Sequence, residues 1–481
     1  MKRNLLFVLF AGLLLLAGCT NKENGGQEAG ANLIRVETPE RPAGQEDMVA
    51  FAAPKLETVR VGFIGLGMRG PSAVERFCFI PGTEVLALCD LHADRAERTN
   101  EILLKHDKPA ADLYSGSADA WRELVERPDL DLIYIAADWA VHVEMAKYAM
   151  EQGKHVAVEV PVGITIDDLW TLVDTSEKTR KHCMMLENCV YDFFELTVLN
   201  MVQEGLLGEI VYAEGGYIHQ LEDFWNYYEN DWRLAFNKAH RGDVYPTHGM
   251  GPACQVLDIH RGDKMNYLVS MDADPVSLPA WVRANRAGED GEGRQVKAED
   301  ADQIKNGQHT LTLIRTEKGK TIEIHHDVTT PRPYSRQYNI AGTQGYASKY
   351  PRQLLALQGS SLANAESVPD HEDLNAHRWL PAETQQQLME EYKHPIHKEL
   401  EEMAREVGGH GGMDFIMDYR LVYCLQNGLP LDMDVYDLAE WSCLVPLSAI
   451  SLENGSMPVE VPDFTRGAWN KVQGFRHAFA E

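Results

Sequence analysis

The chain is poor in positive charge: 45 Lys and Arg stand against 73 Asp and Glu, a formal net charge of −28. Such a surface repels phosphate backbones, which excludes nucleic acid as a partner. It suits a neutral or basic small substrate, and equally plain solubility. Cysteine is scarce and unpatterned. No CxxC and no Cys/His pair has zinc-ligand spacing, so no metal is expected. Apart from Cys19, the cysteines at 78, 89, 183, 189, 254, 424 and 443 fall mostly in apolar runs such as Val85-Leu86-Ala87-Leu88-Cys89 and read as small buried hydrophobes. Long apolar runs are missing too. After the first nineteen residues no segment is long enough to span a membrane, and no internal repeat is visible. What remains, 481 residues with 44 % hydrophobic and 25 % charged content, is a globular protein of two or more domains.

The N-terminus has its own texture. Lys2 and Arg3 precede the apolar run Leu5 to Leu16, which ends in Leu16-Ala17-Gly18-Cys19. The order of basic start, apolar run, small residues and cysteine resembles a bacterial lipobox, so residues 1–19 are expected to be a lipoprotein signal, with Cys19 lipidated and the chain held at the cell envelope, on the periplasmic or outer-membrane side. An ordinary secretory signal is the alternative. Residues 20–54 are rich in Gly, Glu, Asn, Pro and Ala without hydrophobic period and read as a flexible tether.

From Val59 short apolar runs alternate with helical segments: Val59–Ile64, Glu84–Cys89, Leu132–Ala136, His155–Val160 and His182–Leu186 as strands. That rhythm predicts an α/β fold, a doubly wound parallel Rossmann sheet over residues 55–188. Beyond Asn188 the rhythm slows. Glu209–His219, Met265–Met271, Thr310–Arg315 and Thr321–His326 alternate like half-buried strands, and Asp370–Asn427 reads as helical with a break at Gly408-Gly409-His410-Gly411-Gly412. Residues 189–481 are therefore expected to form an α+β substrate domain with a largely antiparallel sheet, in which the charged, Gly-rich residues 283–307 form an exposed loop.

The first strand runs into Gly65-Leu66-Gly67-Met68-Arg69-Gly70, which opens a helix. A bare GxGxxG is weak, but here a strand precedes it and a helix follows. Gly65 would make the tight turn, Gly67 would let a pyrophosphate reach the backbone at Met68 and Arg69, and Gly70 would pack helix on strand. Asp90 closes the second strand, where a carboxylate accepts from ribose hydroxyls and repels a 2′-phosphate. NAD is thus favoured over NADP. Arg95 and Arg98, on the following helix, read as surface charge.

Residues 59 to about 341 resemble the glucose-fructose oxidoreductase and inositol dehydrogenase family. Two of that family's signatures are broken. Its Glu-Lys-Pro stands here as Glu159-Val160-Pro161, and its Asp-x-Gly-x-His as Val244-Tyr245-Pro246-Thr247-His248, so a lysine and an aspartate are gone while the histidine stays. The departures resemble instead the NAD-dependent glycosidases of glycoside hydrolase family 109, best known as α-N-acetylgalactosaminidases. The matching motifs include Leu186-Glu187-Asn188-Cys189-Val190-Tyr191, Gly215-Gly216-Tyr217-Ile218-His219, Trp232-Arg233, Gly242-Asp243-Val244-Tyr245-Pro246-Thr247-His248-Gly249, Asp258-Ile259-His260-Arg261-Gly262 and Arg332-Pro333-Tyr334.

The resemblance implies a glycoside substrate and a reaction without net oxidation. The sugar is transiently oxidised at C3, the C1 substituent is eliminated after loss of the C2 proton, water adds at C1, and the hydride returns. It implies cofactor contacts at Trp139 and His142, and at Glu159, Val160 and Asn188 on strand ends. His248 is the first choice for proton transfer at the reacting carbons, because imidazole titrates near neutral pH. Tyr217 and His219, two apart on a predicted strand, share a face. If Tyr217 is to act as a base it needs a positive neighbour, the nicotinamide ring or Arg233. Tyr217 and Tyr245 are candidates for acid and base, and Glu187, Tyr217, His219, Arg233, Tyr245, His248 and Tyr334 for substrate contacts. Trp225, Tyr227, Tyr228 and Trp232 are either a sugar platform or core. Two other readings stay open: a sugar dehydrogenase with net NADH production, and a sugar-binding lipoprotein. A homo-oligomer is compatible with the sequence but not specified by it.

Overall fold

The computed structural model describes residues 32–225, 232–286 and 298–480. Cys19, Tyr227 and Tyr228 lie outside the described residues.

Six strands, β1 (Val59–Ile64), β2 (Thr83–Cys89), β3 (Asp112–Tyr114), β4 (Leu132–Ile135), β5 (His155–Val158) and β6 (Cys183–Met185), form a sheet in the order β3-β2-β1-β4-β5-β6. Every pairing in it is parallel. β4, β5 and β6 are buried along their whole length. Helices cover both faces of a parallel sheet, so its inner strands read as continuous apolar runs rather than alternating ones. β3 escapes that pattern because it is three residues long and leaves Asp112 and Leu113 exposed. The strand order reverses between β1 and β4, and a crevice opens there beyond the strand ends, the usual place for a ligand in this architecture.

Eight further strands make a second sheet: β7 (Ile210–Ile218), β8 (Met265–Asp272), β9 (Thr310–Thr316), β10 (Thr321–Asp327), β11 (Tyr338–Gly342), β12 (Gly345–Ser348), β13 (Leu354–Leu357) and β14 (Val459–Glu460). Their order is β13-β12-β11-β7-β10-β9-β8-β14. All neighbours are antiparallel except β7 and β10. The expected fold class, a Rossmann sheet followed by a mostly antiparallel one, is the one observed.

One contact decides where the chemistry sits. The helix Thr247–Val256 lies on β7 backbone to backbone. A Cβ built on Gly215 would stand 2.5 Å from the carbonyl oxygen of Gly249, and one on Gly249 would stand 2.5 Å from the amide nitrogen of Gly216. Only glycine at both places lets the two elements approach so closely. Tyr217, at the end of β7, and His248, in the first helical turn, are thereby brought side by side.

Two expectations are corrected, and one open alternative is decided. The tether is not loose from residue 32 onward: Met48 and Ala53 are buried, Ile34 N donates to the Pro458 carbonyl at 2.9 Å, and Arg41 pairs with the buried Glu177 at 3.0 Å. An extended segment satisfied by backbone and side-chain partners shows no hydrophobic period, so composition misreads it. Of residues 283–307, expected as an exposed loop, 287–297 lie outside the described residues, and the rest are not simply exposed loop. They contain the end of the helix Ser277–Arg286 and the turn Ala298–Gln303, which bury Ala301 and Ile304 in a cluster with Leu278 and Val282. Trp225 is 1 % exposed in that same cluster. It is core, in the cluster that also holds Tyr217, and offers no sugar platform.

The C-terminal helices return to the first sheet. Asp418, on the helix Met413–Asn427, accepts from Arg76 Nε at 2.6 Å and from the Tyr134 hydroxyl at 3.3 Å. Arg76 belongs to the helix that follows the glycine turn, so a C-terminal helix is tied to the elements that carry that turn.

Candidate active site

The glycine turn fits a dinucleotide at each of its three positions. Gly65 has φ +90°, and a Cβ there would be 2.5 Å from the Ala136 backbone. A Cβ on Gly70 would be 2.0 Å from the Gly65 carbonyl oxygen. Beside Gly67, by contrast, the nearest atom to a built Cβ is Arg95 Nη1 at 3.9 Å, so the backbone is open to an incoming phosphate. Asp90 Oδ2 accepts from Leu66 N at 2.7 Å and Oδ1 from His92 N at 2.9 Å. The carboxylate that would meet the ribose also braces the turn. Arg95 lies 3.7 Å from Asp90 and, with Arg98, lines the crevice, so these two are not mere surface charge. The crevice is a cavity of about 920 Å³ that runs from Gly65–Arg69 and Asp90 to Trp139, Glu159, Val160, Arg233 and Tyr245.

At its far end the rings gather. Trp139 sits in a short turn capped by Asp138, whose side chain accepts from Ala140 N at 2.8 Å. Its ring centroid is 4.9 Å from Trp232 and 5.6 Å from Tyr245. The Arg233 guanidinium stands 5.2 Å from the Trp139 ring, 5.1 Å from Tyr245 and 6.0 Å from Tyr217. Three aromatic faces hold it by cation–π attraction. Its charge therefore reaches both tyrosines, as a tyrosine base would require. Arg233 and Arg69 line the same cavity as Val160.

Tyr217, Tyr245 and His248 form a triangle: centroids 4.6 Å between the tyrosines, 5.4 Å from Tyr217 to His248 and 5.0 Å from Tyr245 to His248. His248 Nδ1 is 2.7 Å from Glu187 Oε1. That leaves Nε2 for the cleft. Glu187 is 0 % exposed. Burial pushes its pKa up, but the charge and hydrogen bond of His248, with a bond from Cys189 N at 3.0 Å, outweigh it and leave the pKa lowered. The carboxylate stays charged and fixes the imidazole. Glu187 is thus an anchor for His248, not the substrate contact expected of it. On the other side the Tyr217 hydroxyl meets His219 Nδ1 at 2.9 Å. Burial first, then Arg233, His248 and His410, push the His219 pKa down to about 4. A neutral imidazole is a proton acceptor for Tyr217. Burial, and the neighbouring Tyr217 oxygen, raise the Tyr245 pKa despite Arg233. Tyr245 is held protonated, a donor. Tyr334 is half-exposed, edge-on to His219 at 4.9 Å.

Two further expectations shift. His142 is fully buried, its ring nitrogens 3.2 Å from the Pro161 carbonyl and 2.9 Å from the Ala137 carbonyl, and burial lowers its pKa. It ties two crevice loops together from behind and is not on the cavity wall. Asn188 is likewise off the wall, its amide donating to Asp414 Oδ1 at 2.6 Å. The aspartate missing at 244 has a neighbour: Asp243 is fully buried, receives Tyr245 N at 3.4 Å, and is pushed by burial to a pKa of about 7. It shapes the turn that carries Tyr245 rather than facing the cavity.

One residue beside the cleft escaped the sequence reading. His410, with a side chain 52 % exposed, lies 3.3 Å from Arg69 of the nucleotide-binding turn and is close enough to lower the His219 pKa. The signal was a histidine between two glycine pairs, visible only as a helix break.

Crevice and fold define the class: an NAD-binding protein of oxidoreductase architecture. Residues 59–187 match the model "Oxidoreductase family, NAD-binding Rossmann fold", and residues 191–471 match "Glycosyl hydrolase 109, C-terminal domain". The chain belongs to glycosyl hydrolase family 109. It is 61 % identical over 98 % of both chains to glycosyl hydrolase family 109 protein 1 of Bacteroides fragilis (strain YCH46). To the protein of that name in Bacteroides thetaiotaomicron it is 59 % identical over the whole of both. Among solved structures, a levoglucosan dehydrogenase in complex with NADH superposes with a TM-score of 0.60 at 16 % identity, over 84 % of this chain and 100 % of the other. A myo-inositol dehydrogenase from Lactobacillus casei in complex with NAD(H) and myo-inositol gives 0.53 at 15 %, over 85 % and 99 %. Those likenesses speak for the fold. The family makes the chain a glycoside hydrolase with an NAD-binding domain.

Proposed function

We propose that the chain hydrolyses terminal α-N-acetylgalactosaminides, or closely related α-hexosaminides, with NAD retained through the cycle. The observation that carries this reading is the Tyr217–Tyr245–His248 triangle, closed by Arg233 at the end of a dinucleotide crevice. Among the described residues no pair of carboxylates flanks that space, as the usual glycosidase mechanism would need; Glu187 is turned to His248 and Glu159 to Arg69 at 3.2 Å. When bound, NAD supplies reversible hydride acceptance at sugar C3, which makes the neighbouring C2–H acidic. Arg233 and protonated Tyr245 orient sugar oxygens. The Tyr217–His219 pair handles the hydroxyl proton, since His219 accepts what Tyr217 gives up. His248 Nε2, with Nδ1 on Glu187, exchanges the carbon-bound proton. His410, the exposed imidazole at the mouth, suits the leaving oxygen, which departs toward solvent.

The route has a label. Hydrolysis in D2O is expected to place deuterium at C2 of the released sugar, because the proton lost there is replaced from solvent. A product carrying no deuterium at C2 would exclude elimination.

We further propose that the protein is lipidated at Cys19 and held at the envelope, on the strength of Leu16-Ala17-Gly18-Cys19 after a basic start and apolar run. A cofactor that is regenerated at every turnover eases the problem of NAD supply outside the cytoplasm. Cys19→Ser is expected to abolish palmitate labelling; unchanged labelling overturns the anchor.

A further inference from the structure

Residues Gly408, Gly409, His410, Gly411 and Gly412 have φ of 86°, 85°, 47°, 77° and 112°. Five successive left-handed residues fold the chain back sharply, and four of them are glycine because L side chains rarely tolerate that region. His410 is the exception, held there against its preference, which happens when surrounding contacts over-determine a backbone. The contacts converge on Asp414, in the first turn of the helix Met413–Asn427 and 1 % exposed. A Cβ on Gly409 would be 2.6 Å from the Asp414 Cβ, so glycine there lets the loop lie against that side chain.

Asp414 Oδ2 is 2.9 Å from His410 Nδ1 and accepts from Arg69 Nη2 at 3.2 Å, while Oδ1 accepts from Asn188 Nδ2 at 2.6 Å. Burial would raise its pKa, but the hydrogen bond of His410 and the charges of Arg69 and Arg76 more than offset this and leave it lowered. It is a permanent carboxylate. Arg69 Nη1 also lies 3.3 Å from His410 Nδ1, and Arg69 Nε bonds Glu159 on the crevice wall at 3.2 Å. Two protons compete for one position. If Arg69 donated to His410 Nδ1, that nitrogen would carry a lone pair and face a carboxylate oxygen at 2.9 Å, lone pair against anion. The shorter and charge-assisted arrangement puts the proton on Nδ1, donated to Asp414.

We propose that Asp414 is the positioning residue of His410: it takes the Nδ1 hydrogen bond, leaves Nε2 for the cleft, and through Arg69 ties the glycine loop to the nucleotide-binding turn. This rests on the reading that His410 exchanges a proton in the cleft. It is the arrangement by which a buried carboxylate selects the tautomer of an acid–base histidine. Glu187 does the same for His248. The cleft thus holds two imidazoles, each oriented from behind by a buried acid, and the second is also tethered to the cofactor wall.

Ring nitrogen shifts of the ¹⁵N-histidine-labelled holoprotein test it without substrate, the His410 signals being assigned by their loss in His410→Ala. Neutral His410 is expected as the Nδ1–H tautomer in the native protein and shifts toward Nε2–H in Asp414→Asn. In turnover, Asp414→Asn is expected to lower kcat about 100-fold with KM within about threefold. In a His410→Ala background the same change should cost far less, because only its ties to Arg69 and Asn188 remain to be lost. A native Nε2–H tautomer overturns the proposal even if Asp414→Asn does not fold. So does an undiminished effect of Asp414→Asn in His410→Ala. Absence of glycosidase activity would overturn the functional reading alone, since the tautomer is measured apart from it.

Discussion

His248→Asn is expected to lower kcat on the order of 1,000-fold while NAD affinity stays within about twofold, the usual scale for removing a positioned general acid–base. Two features set that expectation. His248 stands 5.4 Å and 5.0 Å from the tyrosine rings, so it shares the reacting space. It is absent from the wall of the dinucleotide cavity, so the cofactor should not feel its loss. Asparagine keeps a polar group for Glu187 and avoids leaving a buried carboxylate without a partner. Glu187→Gln is the companion change. It keeps the volume, loses the charge that selects the Nδ1–H tautomer, and is expected to cost 10- to 100-fold in kcat. Steady-state rates with NAD titrated in parallel decide both. A kcat for His248→Asn within tenfold of native would remove His248 from the chemistry.

Gly249→Val should break the site by moving its scaffold. The glycine carries no functional group, yet a Cβ there would lie 2.5 Å from the Gly216 amide nitrogen and 2.8 Å from the Gly215 carbonyl carbon. These are backbone atoms in a central strand and cannot rotate away. The helix Thr247–Val256 must lift off β7, at a cost of about 2–3 kcal/mol, the range for overpacking a close contact. The lift carries His248 away from Tyr217. A displacement of about 1 Å in such a constellation costs roughly 100-fold. Denaturant unfolding, kcat and NAD titration should therefore show lower stability, at least a 100-fold loss of rate and preserved NAD binding. The glycine turn and Asp90 belong to the other sheet. Native-like kcat in Gly249→Val would mean that the β7–helix contact does not align the site.

How far these features could be read from residues alone follows from their range. The turn Gly65–Gly70 is local, strand to helix within a dozen residues, and its three glycines do what spacing says. β3 could not be read, because three residues with an exposed end carry no pattern. Tyr217, Tyr245 and His248 are readable from motifs, but their meeting depends on Gly215 and Gly249, whose close approach no period reveals. Glu187 reads as a substrate contact because of the motif it stands in, and Asn188 as a cofactor contact because strand ends usually face the crevice. Only burial shows that one faces His248 and the other Asp414. His410 stayed hidden for the same reason: its partner Arg69 lies 341 positions away in the chain. The segment 32–54 misled by composition, since extended chain held by hydrogen bonds looks like tether.

Resident rather than consumed NAD is tested most directly by one stoichiometry. Purified protein is mixed with p-nitrophenyl α-N-acetylgalactosaminide, no NAD is added, and nitrophenol and the 340 nm absorbance of NADH are followed together. Many equivalents of nitrophenol per protein with no accumulating NADH is the expected result. NADH rising in proportion to sugar product would contradict it and make the chain a dehydrogenase.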